Sequence, residues 1–178
     1  GTGALEISAI ATGTDGVIWA VTGCDLRFLP PGDGGGALIN WGEYQFCSSS
    51  SDKATDILVN ADNVIISTGT NGVYVIEYNL SCNQSQIGIQ GITRWDSGNF
   101  LASNRITDLQ MMGNQLLIST ENAGISRRDM ATSTWLSRWS TGNTLASNNV
   151  LGTSVSDGWL HVLAGNTLQS YEISSGIF

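Results

Sequence analysis

Few residues in this sequence could do chemistry, and they are widely spaced. Two aspartates, Asp56 and Asp108, occupy matching triplets, Thr55-Asp56-Ile57 and Thr107-Asp108-Leu109. Paired carboxylates can hold a cation or divide the acid and nucleophile roles of a glycosidase, but nothing in this spacing supports the second use. Hydrogen bonding to neighbouring backbone is the plainer expectation. His161, the one histidine, has neither the carboxylates for a facial metal site nor a Ser or Cys arrangement for a triad, so a packed or hydrogen-bonded role is expected. Cys24, Cys47 and Cys82 come without a Cys-x-x-Cys or paired histidines, which argues against a zinc motif. The run Pro30-Pro31-Gly32-Asp33-Gly34-Gly35-Gly36 is a loop rather than a phosphate cradle, because neither a helix nor Gly-Lys-Ser/Thr follows. No catalytic residue, metal ligand or cofactor is expected.

Binding is better represented. Trp95, Trp135 and Trp139 could stack on sugar rings, although indoles more often pack internally. By strand alternation Trp135, Ser137 and Trp139 share one face, leaving Leu136 and Arg138 on the other. Arg105, Asp56, Asp108, Trp95 and Trp139 are the candidate binding residues. Arg94 and Arg138 read as charged guards on an outer strand or, less simply, as anion ligands. Arg127-Arg128 reads as a solvated basic spot in an acidic chain. Asn79-Leu80-Ser81 and Asn83-Gln84-Ser85 satisfy the glycosylation pattern, making Asn79 and Asn83 candidate acceptors.

The composition narrows the partners. Of 178 residues only 12% are charged, against roughly 25% in ordinary globular domains, while 22 are glycine and two are proline. The 41% apolar content is too high for disorder. No run approaches the roughly 18 apolar residues of a membrane-spanning helix, so no membrane insertion is expected. A net charge of -8 makes nucleic acid an unsuitable partner. Lys53 is the single lysine, leaving hydroxyls, amides and backbone to wet the surface. The chain opens on Gly1 with no basic segment ahead of an apolar one, so any signal peptide is expected to have been removed or to lie outside this sequence.

These residues are positioned by an internal repeat. Arg94-Trp95-Asp96-Ser97-Gly98-Asn99-Phe100-Leu101-Ala102-Ser103-Asn104 recurs 44 residues later as Arg138-Trp139-Ser140-Thr141-Gly142-Asn143-Thr144-Leu145-Ala146-Ser147-Asn148, with eight of eleven positions identical. A 52-residue shift sets Thr55-Asp56-Ile57 on Thr107-Asp108-Leu109 and Ile65-Ile66-Ser67-Thr68 on Leu117-Ile118-Ser119-Thr120. A 47-residue shift sets Ile10 on Ile57 and Ile18 on Ile65, and His161 aligns with Leu117, Ile65 and Ile18. Each copy has an apolar segment, a turn dipeptide (Asp15-Gly16, Asp62-Asn63, Gly113-Asn114 or Asp157-Gly158) and a β-branched run. A third segment and a Trp-bearing fourth complete it. Four antiparallel strands per 44 to 52 residues make a β-propeller blade. Four blades are expected, at about 4–47, 53–97, 104–141 and 148–178, in an all-β chain with little helix. In this frame Asp56 and Asp108 lie on inner strands, although Ala9 and Gly152 break any four-fold carboxylate ring. Asn104 and Asn148 are expected to tie down the connecting loops.

Leu101-Ala102-Ser103-Asn104-Arg105-Ile106, then Gly113-Asn114-Gln115-Leu116-Leu117-Ile118-Ser119-Thr120, then Gly124-Ile125-Ser126-Arg127-Arg128-Asp129, resembles the two-component-regulator type of propeller repeat, within the broad group that includes WD and kelch propellers. The resemblance implies an extracytoplasmic sensor or binding domain. Its motifs describe turns and packing positions and carry little chemistry.

The phase of the repeat leaves the first blade without a preceding outer strand and the fourth without its own. The expectation is a segment of a larger propeller, or one completed by other chains. Cys24, between the second and third strands, and Cys47, after the fourth, lie on connections at the same face of a blade, which makes a Cys24–Cys47 disulfide geometrically open to them. Such a bridge would favour an oxidising compartment. Cys82, at the opposite face, is expected to be free or paired with another chain. The leading functional expectation is a noncatalytic extracellular or cell-surface module that binds proteins or glycans. A subunit of a surface layer, sheath or filament, assembling as a homo-oligomer through open blade edges, is the alternative. Part of a propeller lyase or glycoside hydrolase is the remote one. The expected partners are other protein chains or further blades of the same protein.

Overall fold

The computed structural model describes residues 6–31, 42–48, 52–60, 63–80 and 87–175. Within them the chain forms four antiparallel sheets, each a meander whose strands pair in sequence order. Sheet one holds β1 (Ala9–Thr12), β2 (Ile18–Thr22), β3 (Asp25–Leu29) and β4 (Gly42–Gln45). Sheet two holds β5 (Ala54–Asn60), β6 (Asn63–Thr68), β7 (Val73–Leu80) and β8 (Ile87–Trp95). Sheet three holds β9 (Ile106–Met112), β10 (Gln115–Thr120), β11 (Gly124–Asp129) and β12 (Thr134–Trp139). Sheet four has β13 (Val150–Ser156), β14 (Trp159–Ala164) and β15 (Thr167–Glu172), followed by a 3-10 turn at Ile173–Ser175.

The hairpins follow from the turn residues. Ser156 pairs with Trp159, leaving Asp157 and Gly158 with φ of 50° and 81°, the two positive values that a type I′ turn requires. Met112 pairs with Gln115 around Gly113, at φ 58°. The first hairpin is one residue longer. Gly13 N–H donates to the Val17 carbonyl at 2.9 Å, and five residues separate Thr12 from Ile18 where four separate Val59 from Val64. The gap-free 47-residue alignment therefore holds along the first strand and fails along the second. Trp19, not Ile18, occupies the sheet position of Ile65 and Leu117, and the alignment of His161 with Ile18 is corrected accordingly.

The chain divides into two compact units. In the first, built on sheets one and two, one face of sheet one packs on sheet two: Trp19, Val17, Val21 and Leu26 meet Val64, Ile66, Ile76 and Tyr78. The Trp19 and Tyr78 rings stand edge to face at 4.7 Å, and the Tyr78 hydroxyl donates to Asp15 Oδ2 at 2.8 Å. In the second, built on sheets three and four, Met112, Leu117, Ile125 and Trp139 pack against Val150, Leu160, Val162 and Ala164. Alternation places these apolar residues on one face of each strand, and burying that face against another sheet is the main source of stability.

The eleven-residue repeat is a connector with its own hydrogen-bond closure. The Asp96 carbonyl accepts from the Asn99, Phe100 and Leu101 N–H groups, and the Ser140 carbonyl accepts likewise from Asn143, Thr144 and Leu145. Asn99 Oδ1 and Asn143 Oδ1 cap the same turns, accepting from Asp96 N–H and Ser140 N–H at 2.8 Å each. Asn104 and Asn148 accept on Oδ1 from Ser97 and Thr141, and their carbonyls accept from Gly72 and Gly124. The expected loop-fixing role of both asparagines is thus a defined pair of bonds. Gly72 and Gly124 are needed where they stand. Each has φ above 80°, and a Cβ on either would overlap the carbonyl oxygen of Trp95 or Trp139. Gly124→Ala is therefore expected to lower stability by about 3 kcal/mol. Gly152→Ala, where an added Cβ meets nothing within 4 Å, should change it by no more than about 0.5 kcal/mol. Chemical denaturation of the two variants checks the contrast.

Candidate functional site

First strands carry a repeated irregularity. The pairing register shifts between Ala54 and Asp56, opposite Ile106 and Asp108, and between Val150 and Gly152, so Thr55, Thr107 and Leu151 are bulged. Thr107 Oγ1 donates to the Val150 carbonyl at 2.7 Å, and Asp108 Oδ2 accepts from both Thr153 N–H at 2.8 Å and Thr153 Oγ1 at 2.5 Å. Asp108 thus ties sheet three to the first strand of sheet four. Asp56 is used differently, accepting on Oδ1 from the Ile57 N–H of its own strand at 2.8 Å. Arg105 pairs with Glu121 at 2.8 Å. His161 Nδ1 is 2.8 Å from Ser170 Oγ on the adjacent strand. Among the described residues no three His, Cys, Asp or Glu side chains gather as a metal set.

Cys24 and Cys47 are joined in a disulfide, with their Cα atoms 5.0 Å apart, and beside it Phe46 N–H donates to the Cys24 carbonyl. The bridge ties the β2–β3 turn to the end of β4. Asn79 is exposed on β7, while Asn83 and Cys82 lie outside the described residues.

The richest side-chain arrangement lies in the second unit, around β12. Here the sequence-based alternation fails. Arg128 pairs with Trp135 and Arg127 with Leu136, but Ile125 pairs with Trp139, so Ser137 and Arg138 form a bulge. Leu136 and Trp139 share a face with Arg127 and Ile125, whereas Trp135 lies on the face of Arg128. Trp135 and Trp139 are therefore on opposite faces, correcting the expectation that they share one. The extra residue resets the period, as bulges do.

Trp139 is buried against sheet four with the Arg127 guanidinium 4.1 Å over its ring. Trp95 is buried too, so neither ring is open to an external sugar. Trp135 stands edge to face with Trp95 at 5.2 Å and stacks on Phe100 at 5.4 Å, the planes only 10° apart. Phe100 is 51% exposed. Arg128 lies 4.8 Å over Trp95 and 5.2 Å from the Trp135 ring. The Arg127-Arg128 pair is thus not a solvated spot. Burial pushes both guanidinium pKa values down from their usual level, although arginine remains charged. Arg127 also donates to Gln115 Oε1 at 2.7 Å and to the Ser137 carbonyl of the bulge at 3.2 Å.

Beside this cluster is a hollow of about 280 Å3, lined by Phe100, Leu101, Ala102, Ser126, Arg127, Trp135, Leu136 and Arg138. Strand alternation alone could not reveal it, because the bulge and the approach of the Phe100 connector create it. The only sequence signal was the repeat itself, in which Phe100 replaces the Thr144 of the other copy.

Two structural roles yield expected outcomes. Asp108→Ala should cost about 2 kcal/mol in denaturation, since it strands the Thr153 donors. Replacing Cys24 and Cys47 together by serine should cost about 3 kcal/mol in the chain-entropy description of a loop this long. A reducing agent that leaves the melting temperature of the parent chain unchanged would contradict the bridge.

No protein-family model and no curated protein matches the sequence. Solved structures do resemble it. The computationally designed Ika4 protein superposes at a TM-score of 0.58 with 13% identity, over 96% of this chain and 93% of that one. The extracellular domain of a hybrid two-component system from B. thetaiotaomicron gives 0.64 with 16% identity, over 97% of this chain and 24% of its own length. That of a one-component system from the same organism gives 0.64 with 15% identity, over 100% and 22%. This chain spans about a quarter or less of those extracellular domains. The four meandering sheets, their repeated connectors and these superpositions together make the chain four blades of the β-propeller fold.

Proposed function

We propose that the chain is a noncatalytic propeller module working outside the cytoplasm, and that its outer contact is the open face of sheet four. The observation carrying this is an unburied apolar face. On β14, Leu160, Val162 and Ala164 are buried against sheet three, while Trp159 and Leu163 on the other face are 42% and 40% exposed. Leu168, paired with Leu163 on β15, is 68% exposed. In sheet three the equivalent face carries Leu117 and Ile125 and is covered by the following sheet. His161 and Ser170 lie between these side chains on the same face, and a grouping of exposed large apolar residues on one sheet face marks an interaction surface. Among the described residues no strand pairs with the outer edge of β15, which adds the option of strand addition. The fitting occupant is the apolar face of another sheet, from a partner protein or further blades.

Three features support the compartment and the lack of catalysis. The Cys24–Cys47 bridge suits an oxidising environment. The structural resemblance includes extracellular domains of two-component and one-component systems. The groups best suited to acid or base work are engaged structurally, Asp108 by Thr153 and His161 by Ser170.

Assembly with copies of itself is a second reading, favoured by a specific observation. Ile10 on β1 is 60% exposed, although Ile57 at the matching position of sheet two is buried against sheet one. One open face of each kind remains for a head-to-tail contact. A photo-crosslinker at position 168, combined with native mass measurement, tests both readings. Crosslinks to a different protein, lost when Leu163→Asp is added to the crosslinker-bearing chain at unchanged melting temperature, are expected for the module. Crosslinked copies of this chain would establish assembly, and a monomer yielding no crosslink would refute both.

A further inference from the structure

The hollow beside β12 has a chemistry that the open face of sheet four does not use. Its lining combines an aromatic platform with hydrogen-bond donors. Phe100 offers a half-exposed ring fixed in position by its stack on Trp135. Arg138, displaced by the bulge, is exposed at the rim. A further donor, Trp135 Nε1, is buried without a hydrogen-bond partner on a residue that lines the hollow, while the Arg127 side chain is turned to the opposite face of the sheet, over Trp139. Among the described residues no carboxylate lines it. The other hydroxyl present, Ser126 Oγ, already accepts from Ala102 N–H at 3.1 Å.

Two arguments decide the ligand class. A site supplying donors and positive charge, with no acidic group, matches an acceptor-rich anion, and a guanidinium matches the planar carboxylate geometrically. The local charge is also out of proportion to the chain. Arg127, Arg128 and Arg138 are three of only seven basic residues in a protein of net charge -8. The platform selects for a ring that can lie against Phe100. At about 280 Å3 the hollow is at the lower end of ligand-site volumes, enough for a single ring rather than an extended chain.

We propose that this hollow binds a small ring-shaped carboxylate, with the ring against Phe100 and the carboxylate directed to Arg138 and the unpartnered Trp135 Nε1. The carboxylate would satisfy the buried N–H group of Trp135, whose isolation is otherwise costly. Two sources share this chemistry, a uronic acid unit and an aromatic acid. The bulge positions the site by turning Trp139 inward and setting Arg138 at the rim.

Calorimetric titration of the whole chain with galacturonate and benzoate, against the uncharged counterparts galactose and benzyl alcohol, tests the assignment. At least one acid should bind saturably and about tenfold or more tighter than its neutral counterpart. Galacturonate alone would identify the sugar source, and benzoate alone the aromatic one. Arg138→Ala should weaken binding about tenfold and Phe100→Ala about fivefold, at unchanged melting temperature. Arg138→Lys should recover only part of the loss, because lysine keeps the charge without the planar fork. Equal binding of acid and neutral counterparts, the absence of saturable binding by both acids, or an affinity indifferent to Arg138→Ala would each overturn the proposal. Because Arg138 and Phe100 are exposed, folding of these variants is not in question, and the melting temperature verifies it.

Discussion

A β-sheet of four strands has two faces and can bury neither by itself, and that constraint governs this chain. Trp19 and Leu26 of sheet one are removed from water by Val64, Ile66 and Tyr78 of sheet two. Leu117 and Ile125 of sheet three are covered by Leu160 and Val162 of sheet four. Each apolar face depends on a second sheet for its burial, so stability is shared between neighbours as in other repeat proteins. The same dependence gives Trp159, Leu163 and Leu168 their significance. They occupy a face that the repeat covers elsewhere and leaves open here.

Packing sheets face to face requires connectors of fixed geometry. The repeated Trp-to-Asn segment meets this need with backbone carbonyls that accept three N–H groups each and asparagine side chains that satisfy the rest. Gly72 and Gly124 let the β6–β7 and β10–β11 turns approach the Trp carbonyls without a Cβ in the way. The low charge of the chain fits this economy. Hydroxyl and amide groups close turns that charged side chains would leave to solvent. Asp108 fits the same pattern, spending its carboxylate on Thr153 of the next sheet.

The proposed ligand site lies where the repeat departs from itself. Sheets two, three and four all bulge in their first strands, but the bulge described in β12 separates Trp135 from Trp139 and sets Arg138 beside Phe100. Phe100 stands where the other connector has Thr144. A shared scaffold with a local substitution is how a repeat can acquire a specific site without altering its fold.

The sequence by itself determined the all-β class, the four units, the hairpin turns at Asp15-Gly16, Gly113-Asn114 and Asp157-Gly158 and the loop role of Asn104 and Asn148, because these depend on local residue chemistry repeated along the chain. Asn63, assigned to the second turn, instead pairs with Asn60 as the first residue of β6. Glycine accepts positive φ without steric cost, as Gly16 and Gly158 do in the Asp-Gly turns, and eleven residues with eight identities build the same loop. The Cys24–Cys47 geometry was legible for the same reason, since both residues have fixed places within one unit. Only the tertiary structure decided the rest. The extra residue in the first hairpin moved Trp19 into the place assigned to Ile18, and the bulge at Ser137 and Arg138 reversed the expected partnership of Trp135 and Trp139. Neither leaves a mark on hydrophobic alternation, because strand register is a relation between two segments. Whether Arg127 and Arg128 stack on indoles or stand in water, and whether Leu168 is covered, likewise depends on which faces meet, and pairing between distant residues sets that.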